Sequence, residues 1–177
     1  PPSEEAMLYD IVQLKKMGFN TIRKHIKVEP EQYYYYADSL GMMMWQDMVS
    51  GFATSRKNVE HVKADAKEDW NAPAEHSAQW QAEMFDMIDR LRFYSCITWV
   101  VFNEGWGQHN TKEIVEKVMD YDKSRIIDGV TGWTDRGVGH MYDVHNYPVS
   151  SMVLPENNGD RISVLGEFGG YGWAIDD

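Results

Sequence analysis

Glu104 and Glu167 are the residues whose surroundings suggest chemistry. Glu104 follows directly on the apolar run ending Val100-Val101-Phe102-Asn103 and leads into Gly105-Trp106-Gly107-Gln108. Glu167 follows Ile162-Ser163-Val164-Leu165-Gly166 and leads into Phe168-Gly169-Gly170. Each is therefore an ionisable residue at the C-terminal end of a strand expected to be buried. One such glutamate alone reads best as a solvated carboxylate or a helix cap. Two of them, both opening Gly/aromatic loops, favour a site. If they converge, one can protonate a leaving oxygen while the other attacks an anomeric carbon or activates water, the chemistry of glycoside hydrolysis. Trp106, Trp133, Tyr147 and Trp173 lie near strand ends, where an aromatic face can stack on a sugar ring.

Other chemistries find little support. There is no G-x-S-x-G elbow, no phosphate-binding G-x-x-x-x-G-K loop and no Cys/His cluster with zinc spacing. The six histidines are scattered, which turns attention to the carboxylates, and the hydrolysis those could carry needs neither a metal nor an organic cofactor. Lys and Arg number 17 against 28 Asp and Glu, a formal net charge of −11. That balance repels a phosphate backbone or an anionic membrane surface, so neither nucleic acid nor membrane is an expected partner. The longest apolar stretch, 96–102, is too short to cross a bilayer. The single cysteine, Cys96, forbids an intrachain disulfide and leaves the compartment open.

The elements that must position the two glutamates alternate along the chain. Its 177 residues suit one domain at ~150 residues each, and fall short of the ~250 typical of a complete (β/α)8 barrel. Ser3 is placed to cap a helix with Glu4 and Glu5 in its first turn. Met7, Ile11 and Leu14 form its apolar face, and Gly18 ends it. Residues 19–26 read as a strand. Pro30 opens a second helix carrying Tyr33, Ala37 and Leu40, closed by Gly41. Residues 42–45 are the next buried run, followed by a polar stretch at 49–74 with no period, the length of a functional or mobile loop. Trp80, Met84, Met87 and Leu91 mark the longest helix, from about Glu75. Residues 96–102 are continuously apolar, as in a parallel strand covered on both faces. Thr111 is expected to cap a helix carrying Ile114, Val118 and Tyr121, and short strands are expected at 125–128, 141–145 and 162–165. Six strands with helices between most of them give an α/β class with a parallel sheet. The register suggests strands two to seven of an eight-stranded barrel, with the first and last missing.

Four segments make this specific. Gly18-Phe19-Asn20-Thr21-Ile22-Arg23, Gly41-Met42-Met43-Met44-Trp45-Gln46-Asp47, the pair Asn103-Glu104, and Glu167-Phe168-Gly169-Gly170 occur in order over nearly the whole chain. Together they resemble the catalytic barrel of glycoside hydrolase family 2, which includes β-galactosidases, β-glucuronidases and β-mannosidases. The resemblance implies an incomplete (β/α)8 TIM barrel and a retaining, exo-acting, β-galactosidase-like glycosidase with a carbohydrate substrate and no cofactor. It makes Glu104 the general acid/base and Glu167 the nucleophile. It implies that Asn103 hydrogen-bonds the sugar 2-hydroxyl, that Arg23 keeps the nucleophile ionised, and that Tyr147 sits beside Glu167 and tunes it. His25, Asp47 and His145 would face the same mouth, bordered by Trp106, Trp133 and Trp173.

Plainer alternatives stand beside these roles. Arg23 could bridge only to Asp47, Asn103 could satisfy a loop backbone, and Tyr147 could be core. The run Lys24-His25-Ile26-Lys27 departs from the histidine, tyrosine and proline that better-known members carry after the arginine, which leaves the place of His25 and the sugar preference open. The family's N-terminal β-sandwich domains and outer barrel strands are not in these residues. The expectation is one partial barrel domain from a longer chain, unstable and inactive alone; family members are often bacterial and exported. Two other readings are an endo-acting glucanase or mannanase with the same glutamate layout, and a non-catalytic carbohydrate-binding barrel.

Overall fold

Helix α1 (Glu4–Lys16) begins where Ser3 can cap it: the serine hydroxyl accepts the Ala6 N–H at 3.2 Å. Glu4 and Glu5 at its first turn and Lys15 and Lys16 at its last complement the helix dipole. The computed structural model describes residues 2–51, 60–147 and 159–170. Trp173 and part of the 49–74 loop lie outside the described residues.

After α1 come strand β1 (Thr21–Lys24), helix α2 (Glu31–Leu40), strand β2 (Met43–Asp47), helix α3 (Ala74–Leu91) and strand β3 (Cys96–Asn103). Helix α4 (Thr111–Tyr121) then leads to β4 (Ile126–Thr131), β5 (Met141–Asn146) and β6 (Ile162–Phe168). Strands β1-β2-β3-β4 form one parallel sheet in chain order, and β5-β6 a second parallel pair. The two ladders meet at β4 and β5. His140 N–H donates to Ile127 O at 2.7 Å, but Ile127 N–H turns to the His140 ring Nδ1 at 2.9 Å. A side chain thus takes the place of a ladder carbonyl at this seam.

Trp80, Met84 and Ile88 of α3, Ile114 and Val118 of α4, and Trp99, Val101 and Ile127 of the sheet belong to one buried cluster. Apolar burial between helices and sheet is the main stabilising term of such a layer. Trp99 keeps its indole N–H satisfied inside by donating to Asp122 Oδ2 at 2.9 Å.

The expected elements differ from the observed ones in several ways: β1 covers only Thr21–Lys24 of the expected 19–26. Thr111 is the first residue of α4, not its cap. Asn110 occupies the cap position with no side-chain bond, and Asp69 accepts both the Thr111 N–H (2.8 Å) and its hydroxyl (2.5 Å). The cap comes from the polar loop, so it leaves no local signature before the helix. Strands β2, β3, β4 and β6 also run further than their apolar cores, to Asp47, Asn103, Thr131 and Phe168. Several polar residues at these ends bond one another, so the ladder continues past the apolar run. Finally, β6 is half-buried, with Ile162 and Phe168 exposed. Its outer edge meets no partner strand among the described residues.

Candidate active site

Parallel pairing brings the C-terminal ends of β1, β2 and β3, and those of β5 and β6, side by side, and their polar residues meet there. Asn103 lies in register with Thr131, and His145 with Glu167. The second pairing depends on a bulge: Val144 pairs with Leu165 and His145 with Glu167, leaving Gly166 as the extra residue. Without it, His145 would not stand opposite Glu167.

Arg23 is the centre of the cluster. Its Nε and one terminal nitrogen grip Asp47 at 3.0 and 2.9 Å in the forked geometry that guanidinium and carboxylate share. The other terminal nitrogen donates to Glu167 Oε1 at 2.6 Å. A further bond reaches Asn103 Oδ1 at 2.9 Å. Burial works against the guanidinium charge, but Asp47 and Glu167 outweigh it and hold Arg23 charged above its ordinary value. Arg23 thus bridges Asp47 and also reaches Glu167.

Asp47 is 1% exposed and accepts from Arg23 and the Ile26 N–H, and His25 Nδ1 lies 3.0 Å from it. Both Asp47 oxygens thus anchor Arg23. Asn103 Oδ1 also accepts the Thr131 hydroxyl at 2.6 Å. Two donors on one oxygen fix the amide orientation and leave its NH2 as a donor.

Glu167 has a fifth of its side chain exposed. The Tyr147 hydroxyl donates to its Oε2. Burial pushes the carboxyl up, yet the bond from Tyr147 and the charges of His145, Arg23 and His25 bring it below the usual range. Burial and the adjacent carboxylate hold the Tyr147 phenol above its ordinary value, so it remains a donor.

Glu104 is built differently. It adopts a left-handed backbone at φ 52°, uncommon for a glutamate, and its N–H is tied to Thr131 O at 2.9 Å. Gly105 and Gly107 follow with φ 78° and 64°. A Cβ on either would stand about 2 Å from the carbonyl oxygen of Val62 or Gly51, so only glycine fits beneath these segments. Residues 60–62 clamp the loop: Val62 N–H donates to Gly105 O, Gly107 N–H to Glu60 O, and His61 Nε2 lies 2.9 Å from Glu104 O. The Glu104 side chain meets His145 Nδ1 at 2.7 Å, and the His145 ring is itself fully buried. A carboxylate oxygen of Glu104, one of Glu167 and a ring nitrogen of His145 all lie within 4.8 Å of one another. That spacing could also hold a cation. Arg23 already supplies positive charge beside Glu167, and no ion is assigned.

Among the aromatics, Trp133 is 43% exposed and meets His145 edge-to-face with ring centres 6.0 Å apart. Tyr147 is similarly exposed and also meets the His145 ring edge-to-face, with centres 6.4 Å apart. Trp106 has one face covered by His61, stacked at 4.0 Å. His25 is half-exposed at the rim.

Sequence reasoning missed Thr131, His61, Asp128 and Asp143. The two aspartates carried a signal: each interrupts an apolar strand, in Ile126-Ile127-Asp128 and Met141-Tyr142-Asp143-Val144. His61 sits in a stretch without pattern and carried none.

Parallel strands alternating with helices, and carboxylates gathered at the strands' C-terminal mouth, are the arrangement found at the active face of a β/α barrel. The chain belongs to glycosyl hydrolases family 2: residues 3–154 match that family's TIM barrel domain. The match contains Arg23, Asp47, Glu104 and His145 and stops short of Glu167. Solved structures similar in fold include a family 2 β-galacturonidase from Eisenbergiella tayi bound to galacturonate (TM-score 0.59, 17% identity, 82% of this chain and 26% of that one). A β-glycosidase from Bacteroides vulgatus has a TM-score of 0.55 at 24% identity, covering 71% and 15%. A β-glucuronidase from Parabacteroides merdae has a TM-score of 0.53 at 18% identity, also covering 71% and 15%. The chain thus spans between about a seventh and a quarter of these structures. No curated protein matches it in sequence. No described helix is long and apolar enough to cross a membrane.

Proposed function

We propose that these residues form part of the catalytic barrel of a retaining, exo-acting β-glycosidase, β-galactosidase-like, that hydrolyses O-glycosidic bonds through a covalent glycosyl-enzyme. Glu104 protonates the leaving oxygen while Glu167 attacks the anomeric carbon. Glu104 then takes a proton from water, which releases the sugar from Glu167. Arg23 and Tyr147 keep Glu167 ionised for attack, and the NH2 of Asn103 is offered to a sugar hydroxyl. Trp133 and Tyr147 offer exposed rings beside the pair.

The observation that carries this reading is the approach of the two carboxylates to within 4.8 Å. Retaining enzymes hold their carboxyl groups ~5–5.5 Å apart, and inverting ones ~6.5–9.5 Å to admit a water between them. The unequal surroundings support the division of roles: Glu167 has a cation and a phenol on its oxygens, Glu104 a histidine. Further barrel strands and accessory domains would complete the cleft in a longer protein.

The test is a panel of 4-nitrophenyl β-galactoside, β-glucuronide, β-galacturonide and β-mannoside, with the first-formed sugar anomer read by proton NMR. Uronides belong in the panel because structurally similar proteins are named for them. Release of the β-anomer is expected. Release of the α-anomer, or internal cleavage of polymers without action on these glycosides, would contradict the proposal.

A further inference from the structure

Next to His145 lies a pair of acids that the proposed reaction does not use. Asp128 on β4 and Asp143 on β5 are both fully buried, and their carboxyl groups face each other. As two carboxylates they would leave both Asp128 oxygens and Asp143 Oδ2 without a donor. One shared proton removes that conflict. Burial, and then the charge of Asp143, holds Asp128 well above the ordinary carboxylate range, so the proton rests on Asp128. The second oxygen of Asp143, Oδ1, accepts the Gly166 N–H at 2.8 Å.

That bond falls at the bulge of β6. Asp143 pairs with Val164 and Val144 with Leu165, after which His145 pairs with Glu167 and not with Gly166. Partners in a ladder point to the same face of the sheet, and successive residues along a strand point to opposite faces. In unbroken register Gly166 would stand opposite His145, and Glu167 opposite Asn146. The Glu167 carboxylate would then turn to the face away from His145. The extra residue reverses this, and Glu167 Oε1 meets a terminal nitrogen of Arg23 at 2.6 Å while Oε2 accepts from Tyr147.

The residue that a bulge inserts is left out of the ladder, so its N–H needs an acceptor from elsewhere. Asp143 supplies one, and the fit is close. A Cβ on Gly166 would stand 2.0 Å from Asp143 Oδ2 and 2.3 Å from Oδ1, so the carboxyl lies directly against the glycine backbone.

We infer that Asp143 is a positioning residue for Glu167: its carboxyl accepts the N–H of the extra residue and so holds the bulge that turns Glu167 toward Arg23. Asp128 steadies the other Asp143 oxygen. Neither aspartate touches the sugar or exchanges a proton with it.

The inference rests on Glu167 being the nucleophile, and two measurements on the full-length protein separate the two claims. Crystal structures should show Gly166 as the extra residue, bonded to residue 143, in the wild type and in Asp143→Asn. The asparagine keeps an accepting oxygen and offers its NH2 to Asp128. Asp143→Ala should lose the bond and move Glu167 off Arg23. Kinetically, a 2,4-dinitrophenyl 2-deoxy-2-fluoro-β-glycoside reports the attack alone: Glu167 bonds to the anomeric carbon as dinitrophenolate leaves, with no proton required. Asp143→Ala should slow this inactivation by about 10²-fold, the cost of a misplaced reacting group. Binding of the unreacted glycoside should be nearly unchanged, and Asp143→Asn should react at close to the wild-type rate. A wild-type structure that lacks the bulge or the bond overturns the inference. So does wild-type speed in Asp143→Ala, or a rate in Asp143→Asn that falls as far as in Asp143→Ala. Should Asp143→Ala not fold, the wild-type structure and the Asp143→Asn rate still decide. If no glycoside reacts, or the adduct forms elsewhere, the nucleophile reading fails while the structures still show whether Asp143 holds the bulge.

Discussion

Arg23 holds Asp47 with two of its nitrogens and Glu167 with a third, so the charge of the proposed nucleophile depends on an anchor one strand away. Burial opposes the charge of Glu167, but the bond from Tyr147 and the nearby positive charges outweigh it and hold the carboxyl below the ordinary carboxylate range. A lowered folded value means that activity and a share of stability persist above the ordinary carboxylate range and are lost as pH falls through the folded value. The acid limb of kcat/KM should therefore lie below the ordinary carboxylate range and move up in Tyr147→Phe. A limb that stays put in Tyr147→Phe would remove Tyr147 from this role. Glu104→Gln should slow glycosides of poor leaving groups by ~10²–10⁴ and spare bond cleavage in activated aryl glycosides. Equal slowing of both would mean that Glu104 is not the acid.

At the scale of elements, the site depends on segments that carry little sequence pattern. Residues 60–62 clamp the Glu104 loop, and Gly107→Ala would drive a Cβ to 2.0 Å from Gly51 O. Loss of turnover with a small change in melting temperature is expected; unchanged turnover would show that the loop can shift freely. Asp69→Ala removes the cap of α4 and should destabilise by about 0.5–2 kcal/mol, read as a lower thermal midpoint. Helices α1 to α4 were legible because their apolar spacing and Ser3, Pro30 and Gly41 mark them locally. Glu104 and Glu167 were legible because each ends an apolar strand. The Asp69 cap, the His61 clamp and the Gly166 bulge were not, because each is a contact between residues far apart in the chain. Thr131 and Asn103 extend their strands through bonds to each other, which no apolar period records.

At the scale of the whole molecule, β1 and β6 present unpaired outer edges among the described residues, a known route to misassociation. Expressed alone, residues 1–177 should melt without a sharp cooperative transition and lack activity. A cooperative melt with full turnover would show that these strands need no neighbours. The central claim is that Glu167 becomes covalently glycosylated while Glu104 handles the proton. The most direct measurement treats the full-length protein with a 2,4-dinitrophenyl 2-deoxy-2-fluoro-β-glycoside of the sugar it prefers and maps the trapped adduct by peptide mass spectrometry. A fluoroglycosyl adduct on Glu167, absent in Glu167→Gln, is the expected result. An adduct on Glu104 or another residue, or steady turnover that leaves no adduct, would contradict the account.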